Sequence, residues 1–303
     1  MVIGTIVVLG LARLLLPDRP AVWIVAALLG AAVIAAGRAV ISNPTAWRPA
    51  DSARGPGATG RQPGPGPLAA ATRTDPAAQP VGEDVRARVV AGLEAGIVPG
   101  VMAGALSLAI RSVPLGYLLV PALALAAFAV DRALSAERRW AADGPSGETR
   151  YLILVLALVA AFIGFTGMAT VVSDSLNGFG LPPGAAPPGA SGENALLILA
   201  LGDGLIAGLL GYRLVRLGPT RPRDALISAV TYAAVIAIGA GLFRAMAVPR
   251  LLGPALLTLL VYLWDAIHAT TPSIRRDPRW LWQIGLLVAL AGIVVVWNLA
   301  LRT

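Results

Sequence analysis

The chain has 303 residues, of which 57% are hydrophobic and 13% charged, about half the charged share of an ordinary soluble domain. Its net charge of +8 comes from arginine alone, and those arginines gather at the ends of apolar runs, which argues against a nucleic-acid partner. Cysteine is absent and histidine occurs once, so disulfides, thiolate chemistry and multi-histidine metal or haem sites are excluded, and no metal or cofactor is expected.

Several apolar runs of about twenty residues follow one another, each long enough to cross a bilayer as a helix. They are continuous rather than alternating, so helices and not barrel strands must satisfy the backbone in lipid. The expected fold class is all-α, a polytopic transmembrane helical bundle of about nine spans. In chain order the spans are residues 2–16, 21–41, 89–110, 114–130, 151–172, 195–217, 225–248, 251–269 and 280–301. The first is short and interrupted by Arg13, and it lacks the basic start and small-residue cleavage site of a signal peptide. Residues 1–42 then form an N-terminal hairpin and residues 85–303 a seven-helix body. Between them, residues 43–84 are rich in proline and glycine without apolar periodicity, the composition of a disordered linker.

With the N-terminus cytoplasmic, eighteen arginines fall inside and five outside, with Arg13 in the first span. The positive-inside rule therefore sets the orientation, and the Ala-, Gly- and Arg-rich composition points to the plasma (inner) membrane of a bacterium. Residues 131–150 read as a charged continuation of the fourth span into the cytoplasm. The outer loop 173–194 carries no arginine and reads as a tether.

Within the spans, ionisable residues are few, and these are where function would show. Gly92, Gly96, Gly100 and Gly104 recur at every fourth position, a stripe that lets a second helix approach closely, and Ala200, Gly204 and Gly208 repeat the pattern. Beside each stripe stands an acid, Glu94 in one and Asp203 in the other. EAGIVPGVMAG and DGLIAGLLG resemble each other after a one-residue gap. Spans three to five and six to eight could therefore form an inverted repeat around a midplane site, or simply two closely packed helices.

Asp203 lies roughly 12 Å from the outer end of its span, at 1.5 Å per residue. A carboxylate there must be protonated, hydrated or paired, and Arg244 on the next span is the natural partner. Glu94, Asp265 and His268 share a similar inner depth, with Asp265 and His268 one turn apart, and together could handle protons or bind a cation. The bland alternative is a structural ion pair in the first case and a hydrated helix end in the second.

No catalytic residue is assigned. Gly202-Asp203-Gly204 has the local look of an intramembrane aspartyl protease, but the surrounding residues are missing and Asp265 lies at another depth. The nucleophile elbow, the phosphate loop and the zinc-protease pair are all absent. The binding candidates are Glu94, Asp203, Arg244, Asp265 and His268. The expectation is transport or permeation of a small solute or ion. A structural or assembly subunit among other membrane subunits is the alternative, and an enzyme on lipid-linked substrates is disfavoured by the sparse reactive groups. The bilayer is the expected partner in every case.

Overall fold

The computed structural model describes residues 81–111, 119–143, 146–177, 190–246, 248, 252–269 and 277–300. The expected spans 2–16 and 21–41 and all of the linker before residue 81 lie outside the described residues. Seven helices account for nearly everything described. They are α1 Val81–Arg111, α2 Leu119–Asp143, α3 Gly147–Asn177, α4 Ala190–Arg216, α5 Pro222–Ala245, α6 Leu252–Ala269 and α7 Pro278–Ala300. Each corresponds to one of the last seven expected spans. The differences are that α1 opens within the stretch assigned to the linker, that α2 ends at Asp143 so residues 147–150 of the expected continuation belong to α3, and that α3 and α4 reach into the expected loop 173–194 as far as Asn177 and from Ala190.

Five stretches are long and apolar enough to cross a membrane: Val89–Ile110, Gly147–Thr170, Leu196–Arg216, Pro222–Phe243 and Pro278–Trp297. Leu252–His268 is apolar but shorter. In α2 the uncharged part ends at Val130, and twelve residues cover only about 18 Å of the roughly 30 Å hydrocarbon layer. The chain is therefore a multi-pass membrane protein, with fewer full-length crossings among the described residues than the sequence runs suggest.

The helices from α1 to α6 alternate in direction. Cβ atoms added at Gly164 and Gly167 of α3 would meet Ala105 and Leu108 of α1, both 59 positions earlier, so α1 and α3 run parallel. Contacts from Gly204 to Ala237 and from Gly208 to Ala229 and Ala233 rise on one helix as they fall on the other, so α4 and α5 are antiparallel. This arrangement brings the starts of α1, α3 and α5 to the same end as the finishes of α2, α4 and α6.

Helices α1, α3 and α4 form the middle. The α3 helix packs on α1, α2, α4 and α6, while α4 packs most extensively on α5. On α4 the inward stripe is Leu199, Asp203, Ala207, Leu210 and Leu214, spaced three or four residues apart. The opposite face, Leu197, Leu201, Leu205 and Leu209, is exposed. Apolar residues on both faces suit a helix with protein on one side and lipid on the other. Pro278–Trp297 of α7 contains no buried residue, so this helix stands at the edge of the bundle.

Close approach depends on glycine. A Cβ at Gly204 would lie 3.0 Å from the Ala233 carbonyl oxygen, and one at Gly208 would lie 3.2 Å from the Ala229 carbonyl oxygen. Without a hydrophobic force to drive helices together in lipid, such backbone contact supplies the dispersion energy that does. The expected stripe at Gly92, Gly96, Gly100 and Gly104 is buried throughout. The glycines seen to seat α1 against α3, however, belong to α3: a Cβ at Gly167 would meet the Leu108 Cβ at 2.7 Å.

Candidate functional site

Among the described residues, four acids are buried inside the bundle: Glu94, Glu137, Asp203 and Asp265. Three of them are held by a donor from another helix, and those three sit toward the arginine-rich end.

Glu94, on α1, accepts two bonds at Oε1 from α4. The Tyr212 hydroxyl donates at 2.9 Å and Arg216 Nε donates at 2.8 Å. Arg216 also turns Nη1 to the Thr220 carbonyl oxygen at 2.6 Å, and the Thr220 hydroxyl donates to the Val215 carbonyl oxygen at 2.9 Å. The Val215 carbonyl also accepts from the Gly218 backbone N–H at 3.0 Å. One arginine thus holds the turn that follows α4 and ties α4 to α1.

Glu137, on the charged continuation of α2, faces Arg213 in a two-point ion pair. Arg213 Nε donates to Oε1 at 3.0 Å, and Nη2 donates to Oε2. Both residues are buried, Glu137 at 1% and Arg213 at 5% exposure. Arg213 and Arg216 lie three residues apart, nearly one turn, and grip α2 and α1 respectively. This pair is absent from the sequence-based candidates. Glu137 sits next to Arg138 and Arg139 and reads as part of a solvated surface. The signal that could have found it is the small apolar stripe Ala133, Leu134 and Ala136, all buried beside it.

Asp265 accepts a bond at Oδ1 from the Tyr232 hydroxyl of α5 at 3.0 Å. His268, one turn on, is exposed. Its Nδ1 lies 2.9 Å from the Trp264 carbonyl oxygen, which can only accept, and its ring stacks on Trp264 at 4.5 Å. The structure therefore does not gather Glu94, Asp265 and His268 into one cluster. No hydrogen bond or ion pair joins any two of them among the described residues.

Asp203 is different. It is 1% exposed, it lies in the middle of the inward stripe of α4, and its Oδ1 has no hydrogen-bond partner among the described residues. Arg244, its expected partner, has a side chain outside the described residues. The glycines on either side of Asp203 bring neighbouring helices close. Gly202 abuts the Met168 side chain of α3, and Gly204 abuts Ala233 and Ala237 of α5. One turn further on, Ala207 belongs to a core that includes Phe165, Ile236, Ala240 and Leu257. Ten residues separate Asp203 from Arg213, about 15 Å along the helix axis, so the paired acids and the unpaired one occupy different depths. A buried polar atom without a partner costs about 1–3 kcal/mol, and a charge costs more, so such an atom asks for an explanation. Comparison with known protein families, curated proteins and solved structures found no match for this chain.

Proposed function

We propose that the protein carries or conducts a small solute or ion across the plasma (inner) membrane of a bacterium, with Asp203 as the group that makes the bundle more than a scaffold. The single observation behind this reading is the buried Asp203 on a membrane-crossing helix, whose Oδ1 has no hydrogen-bond partner among the described residues. Ionisable groups at such depth are expensive and tend to mark ion or proton pathways. Glu94, Glu137 and Asp265, by contrast, have donors from neighbouring helices and serve packing as well as chemistry. The arginine-rich end, with its paired acids, is the cytoplasmic end in this reading.

A second reading has an observation of its own. The α7 helix exposes Trp282, Leu286, Leu290, Ile293 and Trp297 and buries nothing, which also suits a subunit that presents this helix to another membrane protein. Reconstitution separates the two. Purified protein in liposomes, under an imposed ion gradient and read with pH- and ion-sensitive dyes, should dissipate the gradient faster than empty liposomes. Asp203→Asn should lose that activity. No flux above empty liposomes for any small ion or solute tested would favour the subunit.

A further inference from the structure

We infer that the ligand of Asp203 is a proton rather than a metal cation, so that the side chain serves as an exchangeable proton site within the bundle. This rests on the transport reading for its physiological use, though the binding itself does not depend on it. The reasoning starts from donors and acceptors. Oδ1 of Asp203 receives no hydrogen bond among the described residues and is closed off from solvent. A metal cation in its place would need several further oxygens, six or so for calcium or magnesium.

The side chains along its stripe do not supply them. Leu199 and Ala207 are its buried neighbours there, and its flanking glycines meet Met168, Ala237 and one oxygen, the Ala233 carbonyl, which belongs to the α5 helix backbone. Among the described residues, no group of three or more acids or histidines comes together anywhere that could hold a metal ion. A proton needs no such shell. It completes the carboxyl by itself and removes the charge that would be costly in these surroundings.

The paired acids sharpen the contrast. Glu137 has a guanidinium on both oxygens, and Glu94 has a guanidinium and a phenol, so each can keep its charge where it stands. Asp203 has neither.

Infrared spectroscopy of the protein in lipid, with the aspartate side-chain carbonyl isotopically labelled, tests this directly. A protonated carboxyl and a carboxylate absorb in separate regions. We expect a label-sensitive band of a protonated carboxyl in the native protein that is lost in Asp203→Asn. Should that variant not accumulate, Asp203→Glu keeps a carboxyl but drops the aspartate label, and assigns the band in its place. Sodium, potassium, magnesium or calcium should leave the band unchanged. The inference is overturned if Asp203 contributes only carboxylate bands, or if any of these cations converts the protonated band. A protonated Asp203 together with native flux in Asp203→Asn would keep the proton site and remove the transport reading, so the two failures are distinguishable.

Discussion

Arg213 and Glu137 meet in a two-point ion pair inside the bundle, Nε on Oε1 at 3.0 Å and Nη2 on Oε2, joining α4 to the continuation of α2. Nine residues before Glu137, Phe128 lies under the Arg132 guanidinium, 4.8 Å from its ring centre, near where α2 passes from apolar to charged. A short apolar helix followed by a charged one can stay attached to the bundle because its charged part is tied down.

Removing one member of that pair should be costly. Glu137→Gln or Arg213→Gln alone removes one charge of a buried pair and should lower stability by about 3–5 kcal/mol. Replacing both with apolar residues of similar size, Glu137→Leu with Arg213→Met, should recover most of the loss. Thermal melting in detergent, arranged as a double-mutant cycle, measures this. Additive losses would mean that the two side chains do not act together.

How far the sequence reveals this fold depends on the distance between partners. The seven helices of the body follow from local composition: continuous apolar runs with arginines at their ends. The buried depths of Glu94 and Asp203 follow from counting residues along those runs. The partners do not. Glu94 finds Arg216 at a separation of 122 residues, and Glu137 finds Arg213 at 76, and no local pattern encodes which helix comes alongside which. Arg213 and Arg216 read as membrane-edge charges because arginine on either side of a lipid boundary looks the same in one dimension. The grouping of Asp265 with His268 rests on spacing, which does not show what each side chain meets. Spacing places both on one side of a helix, but Asp265 turns in to Tyr232 while His268 stays exposed against Trp264.

Glycine substitutions should separate by position. Alanine is favoured over glycine by about 1 kcal/mol in a helix, so Gly241→Ala and Gly285→Ala, where an added Cβ meets nothing within 4 Å, should be neutral or stabilising. Gly204→Ala would press on the Ala233 carbonyl oxygen, and Gly167→Ala on the Leu108 Cβ at 2.7 Å. Neither neighbour can rotate away, so both variants should lose stability. Gly202→Ala meets the end of the flexible Met168 side chain and should fall between. Melting temperatures that ran in the same order for tight and open positions would remove glycine-mediated packing from the account.

The chain contains no cysteine, which makes orientation simple to test. Pro219→Cys, at the exposed turn after α4, should react with a membrane-impermeant thiol reagent only after cells are opened. Gly184→Cys, in the arginine-free loop, should react in intact cells. The reverse pattern would place the arginine-rich end outside.

Glu94 offers a milder change. Tyr212→Phe removes one of its two donors and leaves the arginine, and should lower stability by about 1 kcal/mol. Arg216→Gln removes the ion pair and the bond to the Thr220 carbonyl together, and should cost more and loosen the end of α4. Hydrogen exchange at residues 214–220 should rise in Arg216→Gln and stay near native in Tyr212→Phe.

The central claim is that Asp203 is kept for what it does and not for the fold, and one paired measurement bears on it most directly. Asp203→Leu and Asp203→Asn should be melted and assayed for flux from the same purified preparation. With no partner to lose among the described residues, the leucine variant should melt at or above the native temperature, since an apolar side chain suits that stripe better than a carboxyl. Flux should be abolished in both variants. A fall in stability of several kcal/mol with flux intact would contradict the account, and would make Asp203 a structural residue with a partner such as Arg244.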